Sequence, residues 1–310
     1  MSTLIGIVTF GNLDFTKLAV RAIRETVSEP VDICIVVGKP DDHATMDWAI
    51  TMPSLTWIVH EKNRGFPASI NDIYDIAWQD WSYDNLILVG NDVVAYPGAI
   101  DAMLACARET HYEWICASQY DAASLVRDYP WVGRYFEGER MTYTDFAARP
   151  WDLHLPRIEE LNQLDAASAI EHGSIKDVRN LCLFKRSVFE KIGYADVNFW
   201  PGGYFEDNDY CTRARIAGIR ACGLRTASYF HFWSRTIHQG PKGAEHHRQF
   251  RANEQFYKTK WGGSFEKEQW SLPFGGQPHR LCDGVQLPAT NGIFSREDEP
   301  RIIEYWAKAI

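Results

Sequence analysis

The chain lacks a basic run, a Cys-x-x-Cys pair, a long apolar stretch and a glycine-rich phosphate loop. Each absence excludes something. Its 32 Lys and Arg against 41 Asp and Glu leave a formal charge of −9, which argues against a broad electrostatic footprint on nucleic acid, although a local basic groove is compatible with that total. The seven cysteines are scattered and odd in number, and several lie inside apolar runs. That is the pattern of reduced thiols in a cytoplasmic protein, not of a disulfide framework. Met1-Ser2-Thr3 leads straight into Leu4–Phe10 without a basic leader or a long apolar core. Neither a signal peptide nor a membrane span is therefore expected. No Gly-x-Gly-x-x-Gly follows the first expected strand, which weakens a dinucleotide-binding reading.

What is present is a chain of 310 residues, long enough for one large α/β domain or two small ones. Aromatics are plentiful, with 12 Trp, 14 Tyr and 16 Phe. Many of the tryptophans stand near Gly, Pro or charged residues, which suits flat polar ligands such as sugars, although core filling accounts for most of them.

Short apolar runs alternate with amphipathic ones. Strands are expected over Leu4–Phe10, Asp32–Val37, Leu55–His60, Asn85–Gly90 and Glu113–Ser118. Helices are expected over Phe15–Val27, Pro67–Trp78 and Pro97–Glu109, the last two opened by proline. This β-α-β alternation predicts an α/β fold with a mostly parallel, Rossmann-like sheet flanked by helices. Ligands of such sheets gather outside the carboxyl ends of the strands, where Gly11, Gly38, Asn63 and Asp92 converge. Residues 119–178 break the rhythm, with only Arg157–His172 reading as helix, and are assigned to acceptor recognition. Regular pattern returns with Asn180–Phe184 (strand), Arg186–Ile192 and Glu206–Ala217 (helices) and Thr226–Phe232 (strand), before a polar, partly helical tail.

Two acidic motifs stand out. Asn91-Asp92-Val93-Val94 ends the buried run Leu86–Val89, so Asp92 projects a carboxylate into the crevice where a hard divalent cation can use it. Taken alone, an Asp there equally starts a turn or caps the helix opening at Pro97. Glu206-Asp207-Asn208-Asp209 opens a helix behind Trp200-Pro201-Gly202-Gly203-Tyr204-Phe205. The helix dipole by itself favours acids in a first turn. Three carboxylates in four residues, behind an aromatic and flexible turn, exceed what capping requires. His231 closes an apolar strand; such a His is more often packed in a core than bound to a metal, yet it can lend a nitrogen to a nearby ion. Arg235, His238, Lys242 and His246-His247-Arg248 beyond it could neutralise a diphosphate or form a solvated basic face. The helix N-terminus after Asn63-Arg64-Gly65 could receive a phosphate, although its spacing is not that of a Walker loop.

In this order the pieces resemble family 2 nucleotide-sugar glycosyltransferases of the GT-A fold, over roughly the first three quarters of the chain. Thr9-Phe10-Gly11-Asn12 looks like the family's opening strand and loop, and Asn63-Arg64-Gly65-Phe66 through Asn71 like its Asn-x-Gly…Asn segment. Asn91-Asp92-Val93 is similar to its Asp-x-Asp-type metal motif. Phe189–Asp196 followed by Tyr204–Arg213, with its Glu-Asp-x-Asp core, is similar to the acceptor-side signature and is the specific part. His231 with Ser234 and Thr236, and Tyr257–Gly263 in the tail, also have counterparts.

The resemblance implies an inverting transferase in which a divalent metal, Mn²⁺ or Mg²⁺, is held by Asp92 with His231. It implies a donor, a UDP-sugar by that likeness, bound by Thr9, Phe10, Gly11, Asn12, Gly38, Asn63, Arg64, Gly65, Asn71, Asn91, Asp92 and Arg235. Asp207, with Glu206 beside it, would act as general base, and Trp200, Gly202, Gly203, Tyr204 and Phe205 would meet the acceptor. The acceptor would be a glycan or lipid-linked sugar, or a modified base such as hydroxymethyl pyrimidine in viral DNA, and the protein would be cytoplasmic in a bacterium or infected host cell. Residues 1–236 would form the GT-A-like domain, split into a donor half (1–118), the insertion (119–178) and a catalytic half (179–236), with 237–310 as a C-terminal extension. Two positions depart from the pattern. Gly38 follows the second strand where the family commonly carries an Asp that meets the nucleobase, and Gly90 replaces the first acid of the metal motif. These departures keep open a carbohydrate- or nucleotide-binding module without turnover. A nucleotidyltransferase is the other competing class, but Phe10-Gly11-Asn12-Leu13 offers no phosphate loop of the kind it needs.

Overall fold

The computed structural model describes residues 1–80, 82–119, 163–172, 180–200, 204–232, 244–290 and 295–309. The chain opens with β1 (Thr3–Thr9), α1 (Leu13–Thr26), β2 (Asp32–Val37), α2 (His43–Ile50), β3 (Thr56–Val59) and α3 (Phe66–Tyr74), which runs on into a π turn. Then come β4 (Asn85–Gly90), β5 (Val93–Ala95), α4 (Ala99–Glu109) and β6 (Trp114–Gln119). After the gap in the described residues lie a helical turn α5 (Ala166–Ala169), β7 (Ile170–His172), β8 (Leu181–Lys185), α6 (Arg186–Ile192), α7 (Glu206–Ile216) and β9 (Ala221–His231). The C-terminal part comprises α8 (Ala244–Trp261), the hairpin β10 (His279–Cys282) and β11 (Val285–Leu287), and α9 (Glu299–Ala309).

One sheet runs β3-β2-β1-β4-β8-β6-β9-β5, with β7 also on β9. The half from β3 to β4 is parallel throughout, as the β-α-β alternation predicts. Beyond it the sheet is mixed, because β8 runs antiparallel to both β4 and β6. The parallel character therefore stops at β4, although β6 and β9 are again parallel to each other.

Strand alternation sorts the core into two layers. Ile5, Ile7, Ile33, Ile35, Ile87 and Val89 pack towards α1 and α4, while Leu4, Cys34, Val36 and Leu86 pack towards α3, α6 and α7. α1 buries Phe15, Leu18, Ala19, Ala22 and Ile23, the i, i+3, i+4, i+7, i+8 stripe of an amphipathic helix. α3 is buried from Pro67 through Tyr74, which is why its sequence shows no clean polar face. All seven cysteines are reduced. No helix of the described residues is long and apolar enough to cross a membrane.

Three expectations need correction. Of the helix read over 157–172, only 163–172 is described, and it holds a single turn leading into β7. There Asp165 caps the turn through Ser168 N at 2.9 Å, and the strand takes up the free backbone edge of β9. β9 is longer than the expected Thr226–Phe232, because it pairs with β6 between Ala221 and Tyr229, with β7 between Cys222 and Leu224 and with β5 between Tyr229 and His231. α2, absent from the sequence reading, is started by Asp42, whose carboxylate accepts from Thr45 N (3.3 Å) and Thr45 Oγ1 (2.7 Å).

The C-terminal elements share a core with the segment before α7. Tyr257 and Trp261 of α8, Val285 and Leu287 of the hairpin, and Ile302 and Ile303 of α9 meet Val197 and Phe199. An ion network fastens α9 to α3: Arg64 bonds Asp72 (2.9 Å) and Glu299, and Arg296 bonds Asp72 (2.6 Å), Asp75 (2.8 Å) and Glu299.

Candidate active site at the carboxyl edge of the sheet

β5 is three residues long, and it decides the site. It pairs antiparallel with the end of β9, setting Val93 against His231, while Phe232 N donates to the Asp92 carbonyl at 3.0 Å. Asp92 and His231, 139 positions apart by numbering, thereby become neighbours: His231 Nε2 lies 3.3 Å from Asp92 Oδ1. On its other side the imidazole meets Asn180, whose Nδ2 is 3.0 Å from Nδ1. Asn180 is held in turn by Gly90, whose N–H donates to its carbonyl at 2.9 Å.

Below this pair a cavity of about 120 Å³ opens between the sheet and helices α3 and α7. Val8, Leu88, Tyr74 and Phe184 give it an apolar lining, to which Gly90, Asn180, Glu206 and Asp207 add polar groups and backbone. Phe66, 41% exposed at the start of α3, forms a further part of the lining. The cavity joins the strand-end group to the helix-start group through Gly90 and Asn180.

α7 begins on a strained residue. Phe205, its N-cap, has φ 68° and ψ −10°, a left-handed conformation that costs a bulky residue about 1–3 kcal/mol. The ring is held by Phe250 (5.3 Å between centroids) and Tyr257 (5.7 Å), and Asn253 donates to the Tyr204 carbonyl at 3.2 Å. α8 thus presses this turn into place. Asp207 Oδ1 accepts from Asn208 N at 2.7 Å. Burial, and then the Glu206 carboxylate, push the Tyr204 phenol above its ordinary range.

The remaining candidates divide between rim and interior. Phe10, 40% exposed, stands at the rim, next to the turn of Gly11 (φ 82°) and Asn12 (φ 61°). Lys39 lies over Gly11, its Nζ 3.8 Å from where a Cβ would be. Gly38 is closed in, since a Cβ there would stand 3.4 Å from Ser69 Oγ and 3.5 Å from Phe10. Gly65 carries φ 83° and donates to Asn63 Oδ1 at 2.9 Å, which forms the turn before α3. Trp200 is half-buried and packs against the core shared with the C-terminal elements. Gly202, Gly203 and Arg235 lie outside the described residues.

Four residues read as donor contacts are occupied with the fold. Thr9, with 0% exposure, has its hydroxyl on Gly11 O (2.8 Å) and Thr16 Oγ1 (2.9 Å). Asn91 turns its amide inward to the same hydroxyls at 3.5 Å. Asn71, also 0% exposed, clasps the Ala195 backbone through both amide atoms (2.8 and 2.9 Å). Arg64 is engaged with Asp72 and Glu299. These side chains shape the rim from behind, because a buried polar atom must be satisfied internally.

Sequence reasoning missed Asn180 and Phe66. Phe66 carried a signal, as an aromatic residue at the mouth of a helix facing the ligand edge. Asn180 carried none, since its partner is 51 residues away.

Among the described residues no group of three or more His, Cys, Asp and Glu side chains converges into a metal cluster. Asp92 and His231 supply two donors of suitable type. Magnesium-like ions are commonly held by one or two protein ligands and completed by substrate phosphates. The pair therefore fits an ion that arrives with a diphosphate, and does not fit a self-sufficient structural site.

No protein-family model matches this chain, and no curated protein matches it. Solved structures do. The S. aureus TarS structure superposes with a TM-score of 0.50 at 11% identity, over 84% of this chain and 44% of that one. A TarS 1–349 structure gives 0.48 at 11% identity over 74% of this chain and 60% of that one. A mannosyltransferase from Pyrobaculum calidifontis, PcManGT, solved with GDP-Man and Mn²⁺, gives 0.48 at 13% identity over 82% of this chain and 69% of that one. This chain therefore spans less than half the length of the longer TarS structure. At such identities the likeness is one of fold. The architecture is GT-A-like: a mixed sheet flanked by helices, with a C-terminal helical extension.

Proposed function

We propose that this chain is a metal-dependent, inverting glycosyltransferase of the family 2 type. In this reading it moves a sugar from a nucleoside-diphosphate donor, a UDP-sugar by resemblance, to an acceptor hydroxyl. The observation that supports it best is the shared wall. Gly90 and Asn180 line the same cavity as Glu206 and Asp207, and the same two residues adjoin Asp92 and His231. A diphosphate seated at Asp92 and His231 would present its sugar towards Asp207.

Asp207 then takes the proton of the acceptor hydroxyl as that oxygen attacks the anomeric carbon. The new C–O bond forms on one face, and the bond to the diphosphate oxygen breaks on the other. Asn208 N–H fixes one oxygen of the Asp207 carboxylate, so the base is aimed before the acceptor arrives. An ion held by Asp92 and His231 would stabilise the charge growing on the departing diphosphate. Glu206, buried next to Asp207, shapes the mouth, with Tyr204 and Phe205 as the acceptor side. The acids around the mouth favour a neutral glycan or lipid-linked sugar as acceptor, because they would repel a phosphodiester backbone.

The test is hydrolysis and binding across a panel of nucleotide sugars, with Mn²⁺ and with chelator. One donor should be selected, with binding lost on chelation. Asp207→Asn should keep donor binding and lose transfer. Failure to bind any donor with or without Mn²⁺ would remove the transferase reading in favour of a carbohydrate-binding module.

A further inference from the structure

Gly90 stands where the resembled metal motif carries an acid, and the residue just before β8 adjoins it. Asn180 faces Gly90 across the β4–β8 edge through the Gly90 N–H bond to its carbonyl, 2.9 Å. A Cβ at Gly90 would lie 3.4 Å from Asp92 Oδ1 and 3.6 Å from Asn180 Cβ. The glycine places no side chain against these two groups, and Asn180 reaches His231 beside them.

The contact is chemically two-sided. An amide can offer N–H or C=O to an imidazole nitrogen. With its NH₂ on His231 Nδ1, a neutral ring carries its proton on Nε2, aimed at Asp92 3.3 Å away. With its C=O on Nδ1, the ring proton moves there and the Nε2 lone pair faces the Asp92 side, ready for an ion.

We infer that Asn180 is a positioning residue that sets the tautomer of His231. In the ion-free protein its amide nitrogen faces Nδ1 and keeps the ring proton on Nε2, latching His231 to Asp92. Seating an ion requires the amide to turn over. This rests on the reading of Asp92 and His231 as the ion's seat. It also gives one residue a place in both halves of the site, since Asn180 lines the cavity that holds Asp207.

Long-range ¹⁵N–¹H spectra of His231 in the metal-free protein provide the first arm of the test. Wild type should show the Nε2–H pattern. Asn180→Asp, whose carboxylate can only accept, should show Nδ1–H, and Asn180→Ala a mixture. Binding of Mn²⁺ alone, followed by loss of the free-ion EPR signal, provides the second. Asn180→Asp should bind about 10-fold tighter, the low end of the usual worth of a group that orients a ligating histidine, and Asn180→Ala should fall between wild type and Asn180→Asp, because it removes the latch without orienting the ring. A new carboxylate also attracts Mn²⁺ directly, so Asn180→Asp is repeated in a His231→Ala background, where the gain should vanish. A gain that survives there, or one His231 spectrum shared by wild type and both variants, overturns the inference. If wild type binds no Mn²⁺, the ion reading falls, while the spectra still decide whether Asn180 sets the tautomer.

Discussion

At the end of β4, Asp92 keeps 8% exposure and has an imidazole at 3.3 Å; two residues past Asp207, Asp209 has no exposure at all. Asp209 Oδ2 takes Arg213 Nε at 2.8 Å, while Oδ1 takes Lys260 Nζ at 2.7 Å and Trp261 Nε1 at 2.9 Å. Lys260 continues to Asp196 Oδ2 at 2.7 Å, and Arg213 reaches the Ile192 carbonyl. The same residue type thus does opposite work in the two regions. Asp209 is the centre of a buried two-acid, two-base cluster that welds α7, α8 and the 192–198 segment together. Asp92 is also buried, at 8% exposure, but its carboxylate faces one imidazole in place of two cations, which leaves it able to meet a ligand. Of the three acids that open α7, one belongs to the scaffold. That scaffold in turn holds the strained Phe205 turn and aims Asp207.

The largest expected effect tests the scaffold side. Asp209→Asn strands Arg213 and Lys260 without their shared charge, and breaking a buried pair in this way costs about 3–5 kcal/mol. The urea midpoint should fall steeply with little change in slope. An Asp209→Asn protein of wild-type stability would mean that the cluster is not a structural hub. Next comes its neighbour. Asp207→Asn should lower transfer about 10²- to 10⁴-fold, the usual worth of a general base, and leave the unfolding midpoint nearly unchanged. If both variants lost stability together, the division of labour between the two positions would collapse.

Asp92→Ala should lower donor turnover about 10²- to 10³-fold and abolish its response to Mn²⁺, read as rate against added metal. A smaller effect concerns pH. Burial would raise the Glu113 carboxyl, but Lys191, Ser187 and the Arg220 N–H together outweigh it and hold it at about 2, against an ordinary 4.5. A depressed carboxyl contributes stability that is complete above its unfolded value and is lost as pH falls through the folded one. Thermal midpoints should therefore drop between pH 4.5 and 2, and Glu113→Gln should flatten that slope. Smallest is Gly90→Ala, whose Cβ would meet Val93 Cγ2 at 3.0 Å. Crowding of that kind costs about 1–2 kcal/mol, with weaker Mn²⁺ binding as the companion readout because Asp92 is the next neighbour.

Local pattern carried much of the parallel half. Asp32–Val37 and Asn85–Gly90 are strands at the expected bounds, and Arg186–Ile192 is a helix at its expected bounds. Such runs are legible because burial on both faces leaves continuous apolar residues between turn signals. β5 and β7, each three residues long, are too short to show a period. They exist because β9 offers a backbone edge, which no window of local sequence records. The polarity of α7 has a similar cause: beside Tyr210, Cys211 and Ala214 its buried residues include Asp209, Thr212 and Arg213, satisfied by α8 and by Glu268 at 3.1 Å from Thr212, so the apolar pattern is blurred in a helix that is nonetheless in the core.

By itself, then, the order of residues determined the α/β alternation, the acids at a strand end and a helix start, and the glycine turns at the ligand edge, because these are consequences of neighbours within a few positions. Which acid is locked between two cations and which is not, that His231 stands against Asp92, and that Asn180 bridges them to the cavity were decided only by the tertiary structure. Burial and pairing depend on what the rest of the chain brings to a side chain, and here the deciding partners lie between 51 and 139 positions away.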